Sequence, residues 1–195
     1  MTMPFDAPDE APDEALLVLY ANGDPSAARM LTARFLPRVL RHAQRMLGDA
    51  AEAEDVAQDA MLRLWRVAPD WRSGEARVST WLYRVVANLC ADRLRRTRGV
   101  ALDAVPEPPD GAPGPEARLI SADRMAALDA ALLALPERQR QAVLLRHIEG
   151  LSNPEIGEVM DIGVEAVESL IARGKRALAA QLAGRREELG YDDAE

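Results

Sequence analysis

A chain of 195 residues with a net charge of −8 is long enough for one medium domain or two small ones. Hydrophobic residues make up 48% but aromatics only 4%; strands lean on aromatic and β-branched side chains, whereas the Ala, Leu, Arg and Glu that dominate here favour helix, so an all-α fold is expected. No stretch approaches the ~20 apolar residues of a membrane span, the acidic start "MTMPFDAPDEAPDEALL" lacks the basic and apolar segments of a signal peptide, and one cysteine with two distant histidines offers neither an internal disulfide nor a zinc site; a cytoplasmic location, no membrane insertion, and no metal or cofactor are expected.

In chain order, residues 1–14 form an acidic N-terminus expected to be disordered. Helices follow at about 13–21, 25–46, 50–68 and 79–97. Asp24-Pro25 opens the second of these with a cap and a proline at the first helical position. Pro37 should bend it or end it early. Gly48-Asp49 makes the next turn, Pro69 ends the third helix, and Ser79 or Thr80 caps the fourth. Residues 100–117, "VALDAVPEPPDGAPGPEA", hold five prolines and two glycines without helical period, the composition of an extended, mobile linker. Beyond it, helices are expected at about 116–134 and from Pro136 to 148. A short helix to Met160 is introduced by "SNPE", which places an N-cap (Ser152), a proline (Pro154) and a capping-box glutamate (Glu155) within four residues. "DIG" turns the chain into a last helix, 164–184. Apolar Ile156, Val159, Ile162, Val167 and Ile171 surround that turn, which is the pattern of a helix-turn-helix. The chain thus divides into a domain at 15–98, a Pro-rich linker at 99–117, a helix-turn-helix domain at 118–184 and an acidic tail at 185–195.

Charge is unevenly spread. Residues 1–15 hold five acids and residues 100–117 hold four, neither with any Lys or Arg, while residues 61–98 hold nine arginines against three acids. A basic block of this kind is either a solvated helix surface or a phosphate-facing one, and its "RLRRTR" end weighs for phosphate. On the third helix, Val56, Ala57, Ala60, Met61, Leu64 and Trp65 share a core face. Glu52, Asp55, Asp59, Leu62 and Arg66 form one opposite stripe. Spacing alone weighs for a solvated face with acids near the helix N-terminus; the other reading is a docking stripe with Leu62 as its apolar centre. On the fourth helix Trp81, Leu82, Val85, Val86 and Leu89 are expected in the core and Cys90 reads as a small core residue. Arg84, Asn88 and Arg95 lie on another side. With Arg93, Arg96 and Arg98 they offer phosphate donors and one amide for a base edge. Trp71, Trp81 and Tyr83 neighbour this surface, and aromatic faces beside cations suit unstacked bases; core packing is the alternative for the two tryptophans. His42 and His147 stand alone on helices.

The ordered set "AEDVAQDAMLRLWR", "STWLYRVVANLCADRLRR" and "LPERQRQAVLLRHIEGLSNPEIGEVM", with the helix after it, resembles bacterial RNA polymerase sigma factors of the extracytoplasmic-function (ECF) type in the sigma-70 family. The resemblance spans about residues 15–182 and implies a non-enzymatic subunit that binds core RNA polymerase and directs promoter recognition, held inactive by an anti-sigma factor. It implies that Glu52, Asp55, Gln58, Asp59 and Leu62 face the β′ coiled coil. Arg77, Trp81, Arg84, Asn88, Arg93, Arg95 and Arg96 would meet the minus-10 element, with loop 70–79 holding a flipped base. The second domain would read the minus-35 element and touch the β flap. A stand-alone helix-turn-helix regulator is the alternative reading.

The last helix departs from the family pattern. Its buried stripe is expected to be Val164, Val167, Leu170, Ile171, Gly174 and Leu178, with Gly174 marking close helix approach. Glu165, Ser169, Arg173 and Arg176 lie opposite, flanked by Glu168 and Lys175. Family members often carry cations near 168 and 170, where this chain has Glu168 and Leu170. Glu168 either reads a base, as a glutamate can by accepting from cytosine N4, or, like Glu165, complements the helix dipole. Phosphate contacts then fall to Arg173, Lys175 and Arg176, with Arg140 and Arg146 as further candidates.

Overall fold

The computed structural model describes residues 11–72, 74, 76–100 and 116–183, with side chains of 98–100 and 116–124 excepted. The described residues form eight α-helices: α1 (Asp13–Ala21), α2 (Pro25–Leu47), α3 (Ala50–Val67), α4 (Val78–Val100), α5 (Glu116–Leu133), α6 (Glu137–His147), α7 (Asn153–Met160) and α8 (Val164–Ala183). The acidic N-terminus up to residue 10, most of the linker and the acidic tail lie outside them.

Local chemistry sets the boundaries. Asp24 accepts from the Ser26 amide at 2.8 Å and Pro25 follows it, starting α2. Gly48 ends α2 with φ +73°, a left-handed conformation glycine adopts without penalty, and Asp49 caps α3 by accepting from the Glu52 amide at 2.9 Å. The α7 capping box forms as expected: the Ser152 amide donates to Glu155 Oε2 at 2.8 Å while Ser152 Oγ accepts from the Glu155 amide at 3.5 Å.

One alternative is decided and one expectation is corrected. Of the two outcomes open at Pro37, the early end does not occur: α2 runs on to Leu47, close to the expected 25–46. Proline deletes one ladder bond, but buried Leu31, Phe35, Val39 and Ala43 hold the helix on its neighbours on both sides of that gap. Ser79 and Thr80 do not cap α4; the helix starts at Val78, which is itself buried, and both residues lie in its first turn.

The N-terminal half packs α1–α4 around Leu16, Leu31, Phe35, Val39, Val56, Leu64, Leu82 and Val86. The α3 and α4 core faces are as expected, with Trp65, Trp81 and Val85 at their half-buried margins. The C-terminal half packs α6, α7 and α8. Gly174 is buried where α8 crosses α6: a Cβ there would lie 2.6 Å from Val143 Cγ2 and 3.3 Å from the Gln139 carbonyl. Val167 is buried as expected, but Val164 is 41% exposed and Leu170, Ile171 and Leu178 are half-buried, so the buried stripe of α8 is narrower than its helical period suggests.

The halves are not separate bodies. Leu132, Leu135, Val143 and Leu144 of the C-terminal half belong to the first core, and Tyr83 and Ala87 of α4 belong to the second, with Leu145, Leu151, Ile156, Val159 and Val167. Arg140 is buried at this junction and donates to the carbonyls of Met46 and Leu135. It is therefore no phosphate ligand in this arrangement, contrary to the expectation above.

Candidate functional site

Three surfaces carry the residues singled out by sequence. On α3, Glu52, Asp55, Gln58, Asp59 and Leu62 are all exposed on one stripe. Leu62 is 44% exposed, whereas Leu64 on the same helix is fully buried. It forms one wall of an apolar groove of about 390 Å³ with Ala57, Met61 and Trp65, and the opposite wall comes from Thr32, Leu36 and Leu40 of α2. Leu36 and Leu40 were not singled out from sequence. The available signal was a leucine pair at i, i+4 lying off the buried stripe of α2. Such a groove, edged by Glu54 and Gln58, suits an amphipathic helix: apolar side chains enter and the polar rim sets register.

The second surface is α4 with the loop before it. Arg84, Asn88, Arg95 and Arg96 are exposed. Two other cations of the set are engaged internally. Arg93 reaches across to α3, with Nε 2.6 Å from Glu52 and Nη2 3.7 Å from Asp59, so the acidic stripe and the arginine block meet at one edge. Arg77 lies 2.9 Å from Glu155, the capping-box residue of α7. That carboxyl is held below its ordinary value, first by the Ser152 hydroxyl and amide and then by Arg77. Arg95 pairs with Asp92 on its own helix. Trp71 and Trp81 meet edge to face with ring centroids 5.9 Å apart, both half-buried at the foot of the loop. Tyr83, grouped with them above as an available aromatic, is fully buried against the C-terminal half. Cys90 is buried too, its thiol pushed up to about 12 by burial, which makes it inert.

The third surface is the outward face of α8, where Glu165, Glu168, Ser169, Arg173, Lys175 and Arg176 are all exposed. Arg173 and Arg176 fold back to the carbonyls of Ser169 and Ala172, each one turn earlier. Glu168 accepts from Asn153 Nδ2 at 3.3 Å, tying the start of α7 to the first half of α8. This bond is internal to the helix-turn-helix, and the sequence reading did not foresee it. Arg146 donates to the Leu151 carbonyl and His147 is exposed.

Among the described residues no helix is long and apolar enough to cross a membrane, and no group of His, Cys, Asp and Glu could hold a metal ion. Among the described residues, a helical fold that carries an acid-and-leucine groove, a basic helix and an exposed helix-turn-helix face has the surfaces of a nucleic-acid-reading regulator. The family is settled by comparison. The sigma-70 region 2 model matches residues 31–100 and the sigma-70 region 4 model matches residues 125–178. The chain is 34% identical over 171 residues to the ECF RNA polymerase sigma factor SigW of Bacillus subtilis, covering 82% of this chain and 91% of that protein. It is 35% identical over 173 residues to the ECF sigma factor SigE of Mycolicibacterium smegmatis, covering 85% of this chain and 66% of that one. Among solved structures, CnrH in complex with the cytosolic domain of CnrY superposes with a TM-score of 0.65 at 26% identity, covering 88% of this chain and 97% of that one. RpoE of Bartonella quintana, in complex with the anti-sigma factor NepR, shares the fold with a TM-score of 0.63 at 20% identity, covering 80% of this chain and 96% of that one. The chain belongs to the sigma-70 family and is an ECF sigma factor, a promoter-specificity subunit and not an enzyme.

Proposed function

We propose that the chain docks on the β′ coiled coil of core RNA polymerase through the α3 stripe, with Leu62 entering the partner and Glu52, Asp55, Gln58 and Asp59 meeting its polar groups. The observation that carries this is the exposure of Leu62 beside a preformed apolar groove walled by α2 and α3. Arg84, Asn88, Arg95 and Arg96 engage the minus-10 element, with Arg77, Trp81 and Arg93 at its edge. The α8 face, with Glu165, Glu168, Ser169, Arg173, Lys175 and Arg176, reads the minus-35 element, and the C-terminal half touches the β flap. A segment of an anti-sigma factor competes for the same groove, a reading supported by the similar CnrH, solved with the cytosolic domain of CnrY.

The division into a polymerase and minus-10 domain at 15–98, a linker at 99–117 and a minus-35 domain at 118–184 follows from this reading. The test is transcription in vitro with core polymerase on a promoter library, with and without the protein. Leu62→Asp should abolish co-purification with core polymerase and specific transcripts while leaving the melting curve in place, since Leu62 is exposed. A variant that still transcribes removes the docking assignment. DNA binding without any association to core polymerase would favour a stand-alone regulator.

A further inference from the structure

The junction between the halves is centred on one acid. Glu149 follows α6, its side chain is 4% exposed, and among the described residues its carboxylate faces Arg38, His42 and Tyr83, all of the N-terminal half. The Tyr83 hydroxyl donates to its carboxylate, His42 Nδ1 lies 3.4 Å away and Arg38 Nε 3.7 Å away. The same residues pack on one another: the His42 and Tyr83 rings lie 5.3 Å apart, and the Arg38 guanidinium stands over the Tyr83 ring at 5.9 Å. Tyr83 is thus a plug, its ring in the second core and its hydroxyl on the acid of the opposite half. Burying a carboxylate is costly unless it is paired and hydrogen-bonded, so Glu149 is stable here only while the halves are closed on each other.

The closed arrangement conflicts with promoter binding as proposed above, on which this inference rests. Elements near minus-10 and minus-35 lie ~25 base pairs apart, or ~85 Å at ~3.4 Å per pair. A compact body of about 150 residues has a radius of gyration near 15 Å and a diameter of ~40 Å. The chain must open to reach both. Closure also sets α7 along the Tyr83–Ala87 stripe of α4, one step round the helix from Arg84 and Asn88.

We propose that Glu149 and Tyr83 form an interdomain latch that holds the free chain in a self-inhibited closed form, and that release of this latch precedes engagement of core polymerase and promoter. Arg38 and His42 complete the latch, and the Arg77–Glu155 pair closes its outer edge. Opening returns Tyr83 to the basic surface of α4, where its ring becomes available to an unstacked base.

The test uses the full chain with spin labels at Arg63→Cys on α3 and Gln181→Cys on α8, both exposed positions and one in each half. The buried, unreactive Cys90 stays in place. Distances are measured by pulsed electron resonance for the otherwise unaltered chain, for Glu149→Gln and Tyr83→Phe, which keep side-chain volume, and for Glu158→Gln as a control. The free chain should give a single short distance. Both latch variants should gain a longer component, matching the distance seen when core polymerase is added, and should bind core polymerase ~3- to 10-fold more tightly because the competent fraction rises. The control should stay short. Latch variants that keep the short distance, or a free chain that is already long, overturn the latch. Loss of core polymerase binding by every form would instead strike the proposed function, and the free-chain distances would still judge the latch.

Discussion

The two cores of this molecule are built on different scales. The first is filled by the short α1 and the long α2, α3 and α4, which bury large side chains on several faces, with Leu132, Leu135, Val143 and Leu144 added from the C-terminal half. The second rests on a handful of residues from α6, α7 and α8, and is completed by Tyr83 and Ala87 from the other half. Small domains bury a smaller fraction of their surface and are correspondingly marginal. The difference teaches that the C-terminal half of the chain gains stability by docking, and that whatever undocks it must supply a replacement surface.

Removing bulk from the first core is the strongest way to break this asymmetry. Leu64→Ala deletes a fully buried side chain and should cost ~2–5 kcal/mol. Chemical unfolding followed by circular dichroism should show both halves lost together, since the second core leans on the first. Gly174→Val should cost ~1–3 kcal/mol by forcing a side chain into Val143 and the Gln139 carbonyl. Here amide exchange should rise in α6–α8 and stay slow in α2–α4; equal loss in both halves would mean the cores are one cooperative unit.

Acid sharpens the comparison further. Burial would raise the Glu149 carboxyl, but His42, Tyr83 and Arg38 outweigh it and hold the group below its ordinary value of 4.5. A depressed folded value means a stabilisation fully present above the unfolded-state value and lost as the pH falls through the folded one. Stability between neutrality and about pH 5 should therefore be insensitive to this group, and the difference between the native chain and Glu149→Gln should shrink as the pH drops below about 4.5. Urea titrations across that range check it, and a difference that grows with acid would contradict the buried pairing.

The smallest expected effect on stability comes from Glu168→Lys. The side chain is exposed and held by one 3.3 Å bond from Asn153, so the change should stay within about 0.5 kcal/mol. Promoter choice is the informative readout. If Glu168 reads a base, the preferred minus-35 sequences should change while general DNA affinity is kept. A uniform tightening on all promoters would assign Glu168 to the internal bond with Asn153 instead.

Most of the helix boundaries were legible in the sequence because they are decided within one or two turns. Asp24-Pro25, Gly48-Asp49 and "SNPE" act through side-chain-to-backbone bonds that no distant residue has to supply. Sequence left two outcomes open at Pro37, a bend or an early end, because the cost of its missing ladder bond is local while the compensation, buried Phe35 and Val39, is not. The exposed stripe of α3 and the outward face of α8 were legible from helical period, and Gly174 from its place on a buried stripe.

What only the tertiary structure decided is which charged and aromatic residues are engaged by distant partners in the same chain. Arg140, Arg93, Arg77, Tyr83 and Glu149 look like surface chemistry in sequence. Each meets a partner more than forty residues away: Met46, Glu52, Glu155 and, for the last pair, each other. Periodicity reports which face of a helix a residue occupies, but not what packs against that face. The sequence by itself therefore determined two helical halves and the kinds of surface they carry. Their closure on each other depends on long-range complementarity, above all on a buried carboxylate that needs a hydroxyl from the opposite half.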